Sequence, residues 1–340
     1  MVSRIAWVGL IARMLTLMLM VELPLSAHAQ PAAGVRENRF PEKPMRIVVG
    51  LAPGGATDIV ARQVGQKLSE ALGQQVIVDN RSGAAGSIGA GIVAKAPADG
   101  YTLLVVSSSF AINPALNDLP FDSVKDFIPI SHIAQAPFLL VAFPGLRVDS
   151  VKELIALAKA KPRSLLFSSG GTGGSGHMAG ELFKHMTGIA VDHVPYRGGS
   201  PSVLDVVSGQ VHFTFSAVTA SLLMSRSGRV RALGVTSLKR SPAAPEIPTL
   251  AEAGVPGFLA VTWYGLLAPA GTPRAITDKL NEAISKIVRL PDTAEKLAAD
   301  GAEPVGGTPA QFRQFLEDEM GRFRKLARDI GLKTDKTLAR

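Results

Sequence analysis

The chain has 340 residues, of which 46% are hydrophobic and 19% charged, and its 36 Lys and Arg against 28 Asp and Glu give a formal net charge of +8. This length and hydrophobic content suffice for two lobes with separate cores and exclude a disordered chain. The lack of cysteine excludes disulfides, cysteine-ligated zinc, iron–sulfur clusters and thiol nucleophiles. A positive net charge favours an anionic or neutral partner over a cationic one.

Residues 1–29 are predicted to form a secretory signal peptide. They combine a basic start with a short apolar run and a small-residue cleavage pattern that ends at Ala29. A transmembrane anchor would need about 20 uninterrupted apolar residues, and Arg13 and Glu22 break the run. We therefore expect cleavage near Ala29, export from the cytoplasm, and a flexible leader over residues 30–40.

Short apolar strands alternate with helices along the rest of the chain. Strands are predicted over residues 46–50, 76–78, 102–107, 138–143, 164–168, 211–215, 231–236 and 263–267. Helices are predicted over residues 60–72, 87–98, 150–160, 178–186, 203–207, 273–289 and 309–329. This alternation favours two α/β lobes with mostly parallel sheets.

Two glycine-rich turns, at residues 53–58 and 170–177, each join a predicted strand to a predicted helix. The first N–H groups of a helix have no partner within the helix, and the helix dipole favours negative charge there, so each turn can bind an anion. The second turn lacks the Lys and Ser or Thr of a nucleotide-binding P-loop. The first turn also fits an ordinary helix start, and the second a flexible connection. Two such turns in two α/β segments favour one anion held from both sides.

Other motifs give weaker signals for chemistry. Residues 89–94 match the dinucleotide pattern G-x-G-x-x-A, but the loop before them is too long, so close helix packing explains them better. Ser87 lies in an incomplete G-x-S-x-G pattern and is interpreted as a helix N-cap, which leaves a secreted serine hydrolase as a remote alternative. His177 has no second ligand at metal-binding spacing and is interpreted as a loop or cap residue. We predict no catalytic residue, metal or cofactor, and no nucleic-acid partner, because basic residues are dispersed and aromatics are only 6%.

A set of motifs in the same order as in a known family covers nearly the whole mature chain. They include PEKPMRIVV at 41–49, APGGATDIVAR at 52–62, AKAPADGYTLL at 94–104, HMAGELF at 177–183, HVPYRGG at 193–199 and GLLAPAGTP at 265–273. With these motifs the chain resembles the solute-binding family of tripartite tricarboxylate transporters, also called Bug proteins.

The resemblance implies a type II periplasmic binding-protein fold, in which two α/β lobes are joined by two crossing segments and the ligand cleft lies between them. The crossings are expected near residues 130–138 and 232–240. The implied divisions are lobe 1 at 41–133 and 238–333, lobe 2 at 134–237, and a C-terminal tail at 334–340.

The resemblance also implies which residues bind the ligand, since in the family main-chain N–H groups of the two turns hold a carboxylate. The implied residues of the first lobe are Gly54, Gly55, Ala56, Thr57, Asp58, Ser107, Ser108 and Asn113. Those of the second lobe are Thr172, Gly173, Gly174, Ser175, Ser216 and Ala217. Many relatives carry an Asp just after the strand at 211–215, where this chain has Ser216 and Ala217. We therefore expect a carboxylate ligand without a positively charged amino group.

The function implied by the resemblance is that of a monomeric periplasmic receptor rather than an enzyme. It would bind a small carboxylate and present it to the membrane permease subunits of a tripartite transporter. A ligand-sensing subunit of a signalling system would have the same fold and pocket, and the sequence does not separate this alternative.

Overall fold

The computed structural model describes residues 39–196, 199–299 and 301–332. The predicted signal peptide, most of the predicted leader and the predicted tail at 334–340 lie outside the described residues. The chain divides into two units, Met1–Phe40 and Pro41–Arg340, and every element described below belongs to the second unit.

Strands and helices alternate through most of the described chain, as the sequence predicts. The strands are β1 (Met45–Val49), β2 (Val76–Asn80), β3 (Thr102–Ser107), β4 (Phe127–Ala142), β5 (Leu166–Ser169), β6 (Asp192–Pro195), β7 (Phe213–Ala217), β8 (Arg231–Val235), β9 (Val261–Pro269) and β10 (Glu303–Gly306). The α-helices are α1 (Ala56–Leu72), α2 (Ser87–Ala94), α3 (Ser109–Leu116), α4 (Val151–Ala160), α5 (Ser175–Thr187), α6 (Gly199–Ser208), α7 (Val218–Arg226), α8 (Arg274–Ile287), α9 (Pro291–Ala299) and α10 (Pro309–Asp329).

Strand β4 connects two half-sheets. The strand order is β2-β1-β3-β9-β4-β7-β5-β6, and β8 and β10 also pair with β4. Residues 127–137 of β4 pair with β9, whereas residues 138–142 pair with β7. The first half-sheet therefore contains β1, β2, β3, β9 and β10, the second contains β5 to β8, and one long strand passes from the first into the second.

The sheet is mixed rather than mostly parallel. In each half, three neighbouring strands are parallel, namely β2-β1-β3 and β6-β5-β7. All pairings of β4 and β9 are antiparallel. The expectation of mostly parallel sheets is thus right for β2-β1-β3 and β6-β5-β7 and wrong for β4, β9 and the strands β8 and β10, which pair with β4. Strand direction depends on where the chain re-enters the sheet, which the hydrophobic pattern of a buried strand does not record.

The parallel strands bring six helix starts to the edges that carry the predicted site. In the first half, β1, β2 and β3 lead into α1, α2 and α3, and in the second half β5, β6 and β7 lead into α5, α6 and α7. Because the carboxyl ends of neighbouring parallel strands lie side by side, the loops that follow them cluster at one edge of each half-sheet.

The buried apolar side chains form separate clusters in the two halves. The first half-sheet packs around Trp263 from β9 and Phe312 from α10. The second packs around Phe167, Phe183 and Phe213, which come from β5, α5 and β7. Each half has its own core and is called the first or second lobe below.

The expected lobe boundaries at 133/134 and 237/238 stay predictions. Strand β4 changes its pairing partner at residues 137–138, close to the first boundary. Leu250 and Phe258 pack in the core of the second lobe, which favours a second crossing further along the chain, at the start of β9.

The glycine pattern at 89–94 allows helix α2 to pack closely on the chain. A Cβ atom on Gly89 would lie 2.7 Å from the Cα of Gly50, closer than Cβ atoms approach other atoms in proteins. A Cβ on Gly91 would lie 3.6 Å from Cδ1 of Phe121, an ordinary van der Waals distance. The packing interpretation of this pattern therefore holds for Gly89.

We expect Gly89→Ala to destabilise the fold by about 1–3 kcal/mol, because the methyl group meets backbone that cannot move aside. The matched control is Gly91→Ala in the same helix, which should be neutral or stabilising by about 0.5–1 kcal/mol, since alanine is the better helix former. Urea unfolding of both variants measures this difference, and equal free energies of unfolding would contradict the packing argument.

Candidate functional site

The first glycine-rich turn is held by a hydrogen bond from a glycine to the side chain four residues later. The N–H of Gly54 donates to Oδ2 of Asp58 at 2.9 Å, and the N–H of Gly55 donates to the carbonyl of Ala52 at 3.4 Å. Gly54 has a φ of 76°, a left-handed conformation that glycine adopts without strain. Helix α1 then starts with Gly55 as its N-cap residue, and no side chain caps it.

The second turn repeats this arrangement in the other lobe. The N–H of Gly173 donates to Nδ1 of His177 at 3.1 Å, and the N–H of Gly174 donates to the carbonyl of Gly171 at 3.2 Å. Gly173 has a φ of 75°. Gly174 is the N-cap residue of α5, again without a side-chain cap.

The two turns have the same backbone conformation and leave the same N–H donors without an acceptor among the described residues. The N-cap glycines have φ and ψ of −79° and 163° in the first turn and −74° and 162° in the second. Among the described residues, the N–H groups at positions 56–58 and 175–177 have no acceptor. Each lobe therefore offers the first-turn donors of one helix, together with the positive end of its dipole.

The Asp58 side chain is fully hydrogen-bonded within the first turn and to its neighbours. Its carboxylate accepts hydrogen bonds from Gly54, from Nε of Arg62 at 3.0 Å and from Nδ2 of Asn80 at 2.9 Å. The same amide of Asn80 donates to the carbonyl of Leu51 at 3.1 Å. Burial raises the pKa of Asp58, but the hydrogen bonds from Arg62, Gly54 and Asn80 outweigh burial, so its net pKa is lowered. Asp58 is therefore an ionised, internally satisfied group.

His177 is buried beneath the second turn as a neutral imidazole. Burial, assisted by the neighbouring His193 and Lys184, lowers the pKa of His177 to about 3. Its ring lies 4.0 Å from the ring of His193 between centroids and 6.2 Å from that of Phe167. The sequence-based interpretation of His177 was a loop or cap residue. It lies instead in the first turn of α5 and accepts a hydrogen bond from the N–H of Gly173, while Gly174 is the N-cap.

Three further residues predicted for the first lobe are engaged in contacts of their own. The hydroxyl groups of Ser107 and Ser109 lie 3.1 Å apart. Ser108 is fully buried, and its hydroxyl lies 3.2 Å from that of Thr262 on β9. Asn113 donates from Nδ2 to the carbonyls of residues 84 and 85, at 3.3 and 3.1 Å. Direct contact of these three with a ligand stays a prediction.

The predicted residues of the second lobe lie around the start of α5. Thr172 is exposed and Ser175 is half-buried. A Cβ on Gly176 would lie 3.0 Å from the carbonyl oxygen of Phe215, so the first turn of α5 lies against the end of β7. Ser216 and Ala217 are the last two residues of β7 and directly follow Phe215 in that strand.

The second turn also touches the first lobe. A Cβ on Gly173 would lie 3.0 Å from Cδ1 of Leu116, the last residue of α3. Met178, one turn further along α5, packs within the core of the first lobe. Behind this contact, Met178, Ala260 and Phe323 help to line an apolar cavity of about 30 Å³. The two lobes are therefore in contact at the start of α5.

The alternative of a serine hydrolase finds no support at Ser87. Ser87 was predicted as the N-cap of α2, but it is the first residue of this helix, and Gly86 is the N-cap. The Ser87 hydroxyl donates to the carbonyl of Ala84 at 2.8 Å. A nucleophilic serine needs a histidine within hydrogen-bond reach, and the hydrogen bonds of the described residues join Ser87 to none. Within the described residues, each helix is also too short or too polar to cross a bilayer.

Comparison with known proteins identifies the class to which this architecture belongs. BugT of Bordetella pertussis is 39% identical over 310 residues, which cover 90% of this chain and 95% of BugT. The structure of R. palustris Rpa4515 with adipate is 39% identical and superposes with a TM-score of 0.78, covering 86% of this chain and 98% of that one. MatC (Rpa3494) from Rhodopseudomonas palustris with bound malate is 31% identical, with a TM-score of 0.74 and coverages of 84% and 99%.

The fold and these matches define a periplasmic solute-binding protein, and the expected two-lobed fold of that class is confirmed. The family model for the tripartite tricarboxylate transporter family receptor, TctC, matches residues 60–332. The chain belongs to this family, as the sequence motifs indicated.

The buried histidines predict a loss of stability in acid. The pKa of His193 is lowered to about 4, mainly by burial and further by Lys184, and that of His177 to about 3. Both stay neutral in the folded state while the unfolded chain takes up protons below its ordinary pKa of 6.5. The stability they contribute is thus complete above about pH 6.5 and is lost as the pH falls toward 4 for His193 and toward 3 for His177.

Urea unfolding between pH 7 and 4.5 measures this loss. We expect the free energy of unfolding to decrease throughout this range. In His193→Gln, which keeps a donor toward Ser169, the slope should fall by about one proton, or about 1.4 kcal/mol per pH unit. A slope equal to that of the wild type would show that His193 is not buried in its neutral form.

Proposed function

We propose that the chain is an exported, monomeric receptor that captures a small carboxylate between its lobes and delivers it to the permease subunits of a tripartite tricarboxylate transporter. The observation that carries this proposal is the pair of identical turns, one in each lobe, each with first-turn N–H donors that have no acceptor among the described residues. Cleavage near Ala29 and the monomeric state are parts of the same proposal.

Backbone donors suit a carboxylate because they recognise its charge and planar oxygen pair without requiring a buried cation. The cation beside the first turn, Arg62, is already hydrogen-bonded to Asp58 and to Asn80. A ligand carboxylate would therefore be held by dipoles and N–H groups rather than by an ion pair. Recognition of the rest of the ligand falls to side chains around this anchor.

The absence of a free acid among the predicted site residues favours a ligand without an ammonium group. Asp58 is the acidic member of that set, and its carboxylate is satisfied by Gly54, Arg62 and Asn80. The end of β7 carries Ser216 and Ala217. Adipate and malate, which two similar proteins hold, both lack an amino group.

The contact between Gly173 and Leu116 supports capture by lobe closure. The turn that would hold the ligand is the same turn that meets the first lobe. A ligand held by both turns adds contacts that exist only when the lobes are together, and it therefore shifts the population toward the closed form.

No catalytic step belongs to this proposal. The buried histidines nearest the turn are occupied, His177 by Gly173 and His193 by the Ser169 hydroxyl at 2.7 Å. The chemistry proposed for the site is reversible binding.

A thermal-shift and calorimetric screen with paired ligands tests the proposal. We expect stabilisation by one or more of adipate, glutarate, succinate and malate, with about 2.7 kcal/mol added at 100 times the dissociation constant. Glutamate and aspartate, which add an ammonium group to the glutarate and succinate frames, should give a smaller shift. Binding of the amino acids alone would contradict the ligand class, and binding of none of the six would contradict the proposed function.

Lobe closure is tested by two glycine variants with matched backbone strain. Gly173 and Gly188 have φ of 75° and 69°, but only a Cβ on Gly173 meets another residue, Leu116. We expect Gly173→Ala to weaken carboxylate binding about tenfold, equivalent to about 1.4 kcal/mol. Gly188→Ala should lose only stability, by about 1 kcal/mol.

The second substitution Leu116→Ala should restore part of the affinity of Gly173→Ala, because it removes the obstacle in the opposite lobe. Isothermal titration calorimetry with the tightest ligand of the screen gives the comparison. Equal affinities of the Gly173 and Gly188 variants would contradict a role for this contact in closure.

A further inference from the structure

We propose that His177 is a positioning residue, whose neutral imidazole fixes the turn at 170–177 in its ligand-binding form, as the Asp58 carboxylate fixes the turn at 53–58. This inference rests on the proposed function, because it assumes that the two turns hold the ligand. It adds that both lobes fix their turn by a hydrogen bond from a glycine N–H to a side chain. The acceptor is a carboxylate in the first lobe and a neutral imidazole in the second.

The hydrogen bond from Gly173 is the step on which the turn depends. Gly173 is buried, and its N–H donates to Nδ1 of His177. A buried N–H without an acceptor is costly, so removal of the acceptor would drive Gly173 out of its left-handed conformation toward another partner. The extended N-cap Gly174 and the donors at 175–177 would then lose their present direction.

The surroundings of His177 fix the tautomer that this role requires. An N–H group can only donate, so Nδ1 of His177 must be unprotonated and Nε2 must carry the hydrogen. Nε2 faces Oε1 of Glu181 at 3.7 Å, and the same oxygen accepts from Nζ of Lys184 at 2.7 Å. The charged carboxylate of Glu181 thus favours the hydrogen on Nε2 and leaves Nδ1 free to accept.

Asp58 and His177 each have a charged residue four positions further along the helix, and the two charges have opposite sign. Asp58 is paired with Arg62 on α1, whereas His177 is followed by Glu181 on α5. A carboxylate at position 177 would lie beside a second carboxylate with a side chain only 9% exposed, where like charges repel. A neutral acceptor avoids this repulsion and adds no negative charge to the turn that would receive an anion.

Burial keeps the imidazole neutral under ordinary conditions, and the nearby His193 and Lys184 add to its effect. The facing groups are His193 on β6 and Glu181 and Lys184 on α5. With burial, these surroundings leave the pKa of His177 at about 3. His177 can therefore accept the hydrogen bond from Gly173 throughout the neutral and mildly acidic pH range.

The variants His177→Asn and His177→Leu separate positioning from packing. Asparagine and leucine have nearly the same shape, and both remove the ring that contacts His193, but only asparagine keeps an acceptor at the distance of Nδ1. With the tightest ligand among adipate, glutarate, succinate and malate, we expect His177→Asn to bind within about threefold of the wild type. We expect His177→Leu to bind at least about tenfold more weakly, equivalent to about 1.4 kcal/mol.

Nuclear magnetic resonance supplies a readout that a merely structural role would not move. In the wild type without ligand, we expect a scalar coupling across the N–H···N bond between the Gly173 amide and Nδ1 of His177, and a hydrogen on Nε2. Urea unfolding of both variants shows whether affinity follows stability. The inference requires that affinity follow the presence of the acceptor instead.

The outcomes separate the proposed function from the inference. A wild type that binds none of the four dicarboxylates and neither glutamate nor aspartate overturns the proposed function and the inference with it. If only the amino acids bind, the ligand class is overturned, and the two variants are compared with the amino acid that binds. A wild type that binds, with His177→Leu as tight as His177→Asn, overturns the inference alone. A hydrogen found on Nδ1 of His177 in the wild type also overturns the inference, because the Gly173 N–H would then have no acceptor there.

Discussion

The structure of the proposed site depends on one kind of hydrogen bond, which occurs once in each lobe. A glycine in the left-handed region donates its N–H to a side chain four residues later, from Gly54 to Asp58 in one lobe and from Gly173 to His177 in the other. This bond turns the chain sharply between a strand and a helix and leaves the first N–H groups of the helix for another acceptor. Without it, each turn would be an ordinary flexible connection.

The electrostatics of the site follow from this choice of anchor. The first lobe uses a carboxylate whose charge is balanced by Arg62, and the second uses an uncharged imidazole. In both turns the field near the donors is therefore set by peptide dipoles. The net charge of the full sequence is +8, and it stays positive when Arg4, Arg13 and Glu22 leave with the predicted signal peptide, so it contributes attraction at longer range. In the proposed function, such a site holds the negative charge of the ligand and leaves the choice of ligand to the surrounding side chains.

Sequence reasoning located both glycine-rich turns but not the hydrogen bonds that hold them. The pairs Gly54–Gly55 and Gly173–Gly174, each before a helix, were visible because few residues other than glycine allow such a turn. Which amides Asp58 and His177 accept from depends on backbone angles that only the structure gives. A shared spacing, from glycine to a polar residue four positions on, was the signal that could have found them.

The same limit applies to the fold. Alternation of strands and helices and the family motifs predicted two α/β lobes correctly. The double role of β4, which pairs in both half-sheets, and the antiparallel direction of β9 depend on long-range pairing that local patterns do not encode. The engagement of Asn113 with residues 84 and 85 is likewise a tertiary contact that its position after β3 did not reveal.

The most direct test of the account is a titration of the amide resonances of Ala56, Thr57, Ser175 and Gly176 with the dicarboxylate that binds most tightly. If both turns grip one carboxylate, all four amides shift and saturate along a single binding curve. If the amides of only one lobe respond, or if the two pairs follow different affinities, the ligand is not shared between the turns and the account is wrong.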